Sequence, residues 1–210
     1  KEKEILIKEV HHRVRNNLQV ISSMLHIGLS NITDPEFVSV FKSSYTRVRV
    51  LAILHDKLCE SQDFSSVNVE DFINCLFSEL VSAYGAKAMP VLSITTNLDS
   101  LGINLMITCG LIVNELISNT LRHAFIKAVN GAITITFKRD EGGEFVLIVS
   151  DNGKGLPQLA QPTGRYGGLQ VVADLVQSKL KGRIDIDSTA AGTTVTITFK
   201  DVGGRYHHIV

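Results

Sequence analysis

The opening stretch of the chain constrains the fold most, because its apolar residues recur at the spacing of a long amphipathic helix. From Ile5 to about Leu29, Ile7, Val14 and Ile21 form one heptad line, with Leu18 and Leu25 on the line beside it. Asn31-Ile32-Thr33-Asp34-Pro35 then supplies a turn, with Asp34 placed to cap a second helix and Pro35 at its first position. That helix is expected to reach about Glu60 and carries its own seam at Val48, Leu51, Leu54 or His55, and Leu58. Two long helices joined by a short loop form an antiparallel hairpin, and such a hairpin cannot cover both seams alone. A homodimer forming a four-helix bundle is the expected remedy. Ser61 to Ser66 reads as a short polar linker, which predicts a hairpin domain over 1–62 and a second domain over 67–200.

Past the linker the periodicity changes. The pattern predicts a helix over about Glu70–Tyr84, a strand near Val91–Asn97 and a helix over about Ile103–Ala124. Strands follow at Ala132–Lys138 and Phe145–Ser150, then a Gly-rich segment from Asp151 to Gly168, a helix to about Leu180, and strands at Arg183–Asp187 and Thr193–Phe199. Hairpin-type turns at Asp140–Gly143 and Ser188–Gly192 make this an α+β fold with a mainly antiparallel sheet, and disfavour a doubly wound parallel one.

Composition narrows the function classes. With 44% hydrophobic and 20% charged residues the chain is of ordinary globular type. Lys plus Arg balances Asp plus Glu at 21 each, so no global field favours nucleic acid or an anionic membrane. The longest apolar stretch, Leu105–Ile117, is broken by Thr108, Asn114 and Glu115 and falls short of the roughly 20 residues that cross a bilayer. Cys59, Cys75 and Cys109, odd in number and far apart, read as reduced thiols, which points to the cytoplasm. No signal peptide is read at the start, and the absence of an initiator Met suggests a fragment of a longer chain.

Three segments of the second domain carry chemistry. In Leu111–His123, the polar residues Glu115, Asn119, Arg122 and His123 fall at i, i+4, i+7 and i+8, on one helix face. A carboxylate and an amide one turn apart suit a divalent ion or the orientation of a nucleophile, though a solvated helix face explains the same spacing. Asp151-Asn152-Gly153-Lys154-Gly155 follows an apolar strand directly. Its glycines allow a planar ligand to approach closely, and its carboxylate can accept a hydrogen bond from an exocyclic amine; a plain strand-end turn is the bland alternative. Gly164-Arg165-Tyr166-Gly167-Gly168-Leu169 opens a helix, whose N-terminal N–H groups favour phosphate.

In order and spacing these segments resemble the N, G1 and G2 boxes of the GHKL ATPases, the superfamily of gyrases, histidine kinases and mismatch-repair ATPases. The resemblance spans roughly Val67–Phe199, and Gly192-Thr193-Thr194 matches the fold's closing Gly-Thr. It implies an α/β sandwich that binds ATP and Mg²⁺, with Asn119 as the metal residue, Glu115 where the family carries its polar catalytic residue, and Asp151 reading adenine. Arg122, His123, Gly153, Gly155, Gly168, Leu169 and Thr194 are the further nucleotide-binding residues it implies. Tyr166 stands where the second glycine box usually has its first glycine.

The hairpin distinguishes the histidine kinases within that superfamily. Glu9-Val10-His11-His12-Arg13-Val14-Arg15-Asn16-Asn17-Leu18 resembles the phosphoacceptor box of the subfamily related to the HWE kinases, although Arg13 follows the histidine where the commoner pattern has an acid. Helix geometry chooses between the two histidines. His11 lies in register with Leu18 and Leu25, whereas His12 has Lys8, Glu9, Arg15, Asn16 and Gln19 around it and faces water. His26 and His55 read as surface or packing residues, and His207 and His208 lie beyond the last strand without an assigned role.

The resemblance implies transfer of the γ-phosphoryl group of ATP to His12 and onward to an aspartate of a response regulator receiver domain in trans. It also implies an upstream sensor domain in a longer parent chain. The competing readings are a GHKL-type ATPase or serine kinase dimer, and a nucleotide-binding scaffold without histidine phosphorylation.

Overall fold

The computed structural model describes residues 2–30, 32–60, 66–85, 89–125, 130–156 and 167–200. The predicted linker at 61–65, Gly164 to Tyr166 of the second glycine box, and the tail with His207 and His208 lie outside them, as do the side chains of His11 and His12.

The hairpin forms as the heptads require, from α1 (Glu2–Ser30) and α2 (Pro35–Glu60). Asp34 starts α2: its carbonyl accepts the Val38 N–H at 2.9 Å, and Pro35 occupies the position where no N–H is needed. β1 (Ser66–Asn68) pairs antiparallel with β3 (Ser100–Gly102). Neither strand was expected from the sequence, since three residues are too few to show an alternation. α3 (Val69–Tyr84) is capped by Asn68, whose side chain accepts the Asp71 N–H at 2.9 Å. It ends at Gly85, which takes a left-handed φ of 59° and returns its N–H to the Val81 and Ser82 carbonyls.

Five strands make the main sheet: β2 (Val91–Thr96), β4 (Ala132–Arg139), β5 (Glu144–Asp151), β6 (Arg183–Thr189) and β7 (Gly192–Lys200), in the spatial order β2-β4-β5-β7-β6. β2 runs parallel to β4 and every other pairing is antiparallel. Alternation along the strands sends Ile133, Ile135 and Phe137, Phe145, Leu147 and Val149, and Val195, Ile197 and Phe199 to one buried face. Phe145 stacks on Phe199 with ring centroids 5.1 Å apart. The helices cover this face: α4 (Ile103–Asn119), extended by Thr120–Ala124 in wider π-type turns, and α5 (Gly167–Leu175), extended likewise through Leu180. The result is the helix-on-sheet sandwich of an α+β fold.

The apolar core does not stop at the linker. Val50, Ile53, Leu54 and Leu58 of α2 belong to the same buried cluster as Phe72 of α3 and Leu105 of α4. Leu54 and Leu58, expected on the seam of a bundle, are thus largely used up within one chain. Gly110 permits the close packing, because a Cβ there would sit 2.7 Å from Phe72 Cζ and 3.2 Å from Val50 Cγ1. The rest of the hairpin is covered far less: Met24 and Ile27 of α1 are 67% and 62% exposed, and Phe37 and Val40 of α2 are 60% and 58% exposed. Among the described residues no helix is long and apolar enough to cross a membrane, and no disulfide joins Cys59, Cys75 and Cys109. Burial pushes the Cys109 thiol pKa up, so this cysteine is an inert core residue.

Candidate functional site

The polar face of α4 is not a solvated face. Glu115 is 1% exposed, and Asn114, Ser118 and Thr120 are buried with it. A carboxylate is tolerated there only with partners. Glu115 Oε1 accepts from Arg47 Nε of α2 at 2.8 Å and from Asn114 Nδ2 at 3.1 Å, while Oε2 is buried without a hydrogen-bond partner. The ion pair holds the Arg47 guanidinium pKa above its ordinary value. One turn on, Asn119 Oδ1 accepts from Arg122 Nη2 at 2.9 Å, and Arg122 Nη1 donates to Ser39 of α2 at 3.0 Å.

A cleft with about 520 Å³ of empty space, part of it open to solvent, lies between α4, the ends of β5 and β7, and the start of α5. Leu116, Val149, Leu156, Leu169 and Val195 make apolar walls, and Asn119, Thr120, His123, Asp151 and Thr193 supply the polar groups. Asp151 ends β5 with its carboxylate fixed on both oxygens: Gly153 N–H donates to Oδ1 at 2.8 Å and Thr120 Oγ1 to Oδ2 at 3.1 Å. Two lone-pair directions per oxygen leave this group able to accept from a ligand as well.

The glycines are sites of close approach. A Cβ on Gly153 would lie 2.3 Å from Ala124 Cβ, so only glycine lets this turn lock onto the end of the α4 helix, where Lys154 N–H also meets the Ala124 carbonyl at 3.3 Å. Gly155, at a φ of +74°, would place a Cβ against the Thr189 carbonyl. Gly168, in the first turn of α5, lies over the α4 pair: a Cβ there would be 3.0 Å from Asn119 Oδ1 and 3.1 Å from Glu115 Oε2. The first turn of α5 therefore packs against Asn119 and Glu115.

Of the predicted residues, Asn119, His123, Asp151, Gly155 and Leu169 line the cleft, while Glu115, Arg122, Gly153 and Gly168 buttress it. Thr194 lies elsewhere. Thr193 is directly opposite Asp151 and shares its face of the sheet, whereas Thr194 is opposite Ser150, bonds to it at 3.0 Å, and points to the other face. Within Gly192-Thr193-Thr194 it is Thr193 that lines the cleft. Thr120 and Arg47 were not anticipated. Thr120 is marked by no pattern on its helix, and Arg47 is 68 residues from Glu115.

The imidazole of His123 is held below its ordinary pKa by desolvation at the cleft wall and by the neighbouring cations Arg122 and Lys154. Among the described residues no group of three or more His, Cys, Asp and Glu gathers as a metal site. Asn119 Oδ1 is an oxygen donor of the kind that a hard cation such as Mg²⁺ takes.

Comparison with known proteins agrees with this geometry. Residues 9–84 match the family described as "Histidine kinase", and residues 107–203 the one described as "Histidine kinase-, DNA gyrase B-, and HSP90-like ATPase". The chain carries a histidine kinase domain followed by an ATPase domain. It is 28% identical to the sensor histidine kinase PdtaS of Mycolicibacterium smegmatis over 97% of its own length and 41% of the relative's. It is 25% identical to blue-light-activated histidine kinase 2 of Erythrobacter litoralis, over 91% of its own length and 56% of that protein. Among solved structures, the histidine kinase domain of a blue-light-activated histidine kinase from E. litoralis superposes with a TM-score of 0.66 at 25% identity, covering 91% of this chain and 89% of that one. The chain spans about two fifths of the length of the PdtaS relatives. The kinase core thus pairs a histidine kinase hairpin with an ATP-binding domain of the gyrase and HSP90 type.

Proposed function

We propose that this kinase core transfers the γ-phosphoryl group of ATP to His12 of its own hairpin and passes it to an aspartate on a separate receiver domain. The observation that carries the reading is the polarity of the cleft. A fixed carboxylate, Asp151, stands at one end, and at the other Asn119, Glu115 and the first turn of α5 converge on one corner. Adenine enters between Leu116, Val149, Leu156 and Val195, and its exocyclic amine donates to Asp151. Thr193 replaces Thr194 as the β7 residue of this site. Gly168 and the N–H groups around it receive the phosphates, with Arg122 and His123 at the rim.

Asn119 would hold Mg²⁺, which would supply charge neutralisation for the transfer. The contribution of the chain is positioning: Thr120 and the Gly153 N–H hold Asp151, and Asn114 holds one oxygen of Glu115, so that Oε2 is the oxygen turned to the reacting groups. A second copy of the chain covers the exposed apolar side chains of the hairpin. The input comes from a sensor region of a longer parent, and the core works in the cytoplasm.

Incubation with γ-labelled ATP tests the reading. Label is expected on the wild-type chain, lost on acid treatment and retained in base as for a phosphohistidine, and absent from His12→Gln, whose melting is unchanged. Acid-stable label, or full labelling of His12→Gln, overturns it.

A further inference from the structure

Both side chains at the phosphate end are held by guanidinium groups, and both guanidiniums are tied to α2. Arg47 is an α2 residue and donates to Glu115 Oε1; Arg122 donates to Asn119 Oδ1 with one nitrogen and to Ser39 Oγ of α2 with another. Asn119 Oδ1 is the atom a divalent cation needs. A guanidinium on the same oxygen brings like charges within a few ångströms, so the two do not share it without a repulsive cost. A carboxylate paired with Arg47 likewise has part of its charge already neutralised.

α2 is held differently along its length. Its second half is anchored by Val50, Ile53, Leu54 and Leu58 in the core. In the first half Phe37 and Val40 are exposed, and Ser39 and Arg47 connect to the site through polar contacts. A shift of the first half gives up little apolar burial, whereas a shift of the second half opens the core.

We infer that the first half of α2 is a polar latch on the nucleotide site: Arg122, braced by Ser39, and Arg47 compete with Mg²⁺-nucleotide for Asn119 and Glu115. Latching and nucleotide occupancy oppose each other, and by reciprocity a nucleotide that binds better to the unlatched chain itself opens the latch. Ser39 is one of three groups that hold Arg122, beside the Ser118 carbonyl and Asn119 Oδ1, so its release loosens the guanidinium next to the metal residue and makes it available to phosphate. Hairpin and catalytic site are linked by these hydrogen bonds, while the core keeps the two units together.

Because the latch presupposes that the cleft takes nucleotide, both are tested in one titration of the full chain with a non-hydrolysable ATP analogue. In the presence of Mg²⁺, Ser39→Ala and Arg47→Gln bind the analogue about 5-fold tighter than wild type. The gain of Ser39→Ala disappears when Mg²⁺ is chelated. Arg49→Gln stays within about twofold of wild type, since the Arg49–Glu79 pair ties α2 to α3 away from the cleft. Removing Arg47 leaves a buried carboxylate without its cation, so Ser39→Ala, which keeps every charge, decides the question where Arg47→Gln fails to fold. Unchanged or weaker binding by Ser39→Ala overturns the latch, and a gain that persists without Mg²⁺ overturns competition at Asn119. If Asp151→Asn does not weaken binding, the nucleotide reading falls and the latch with it. If Asp151→Asn weakens binding while Ser39→Ala leaves it unchanged, only the latch falls.

Discussion

The sandwich and the hairpin bury their apolar residues to very different degrees. In the sandwich every inward apolar position of β4, β5 and β7 is buried, and so is Glu115 beside the cleft. In the hairpin, Val14, Ile21, Met24 and Ile27 of α1 remain exposed although they recur with the regularity of a core. The difference teaches that amphipathic periodicity predicts which face will be buried but not by what. A sheet with its helices is self-sufficient, whereas two antiparallel helices leave a stripe that needs another surface.

The largest expected effect breaks the self-sufficiency of the sandwich. Phe137 is fully buried between β5 and the helices, so Phe137→Ala should cost about 3–5 kcal/mol in denaturant unfolding. Met24→Ala in the hairpin should stay within about 0.5 kcal/mol.

Next in size is the site itself. Asp151→Asn replaces a charge-assisted acceptor and should weaken ATP binding in calorimetry by roughly 1.5–3 kcal/mol. The fold should survive, because an amide oxygen can still accept from Gly153 N–H or Thr120. Unchanged affinity would remove Asp151 from the site.

The hairpin stripe is probed by Val14→Lys combined with Ile21→Lys. Both positions are exposed in the single chain, so the double variant should still fold, while its mass in light scattering falls from dimer to monomer and its melting no longer depends on concentration. A wild-type chain that is already monomeric at micromolar concentration would mean that the stripe serves something other than a second copy.

The smallest effect concerns His123. Its folded-state pKa is below the ordinary 6.5, with Arg122 and Lys154 as the charged neighbours. As pH falls through 6.5 the unfolded chain therefore takes up the proton first, and stability declines until the lower folded value is passed. Above 6.5 the imidazole is neutral in both states and contributes no such slope. His123→Gln should thus lose less melting temperature than wild type between about pH 7.5 and about pH 5.5.

Much of this architecture is legible along the chain because it depends on local repetition. The heptad lines dictate α1 and α2, Asp34-Pro35 starts α2 where it begins, and the alternation of Ile133, Ile135 and Phe137 identifies a strand and its inward face. The boxes around Asn119, Asp151 and Gly168 are legible for a related reason: each needs particular residue types at fixed short spacing. What only the tertiary structure decided are the meetings between distant segments. Register across β5 and β7 brought Thr193 rather than Thr194 to the cleft, since a shift of one residue in a strand reverses the face. The short β1–β3 pair exists through partnership alone. Leu54 and Leu58 carry the same helical spacing whether they face a second copy or α3 and α4, and only packing chose the latter. Arg47 reaches Glu115 because α2 lies along α4, a relation set by the burial of Val50 beside Gly110 and by no pattern within either helix.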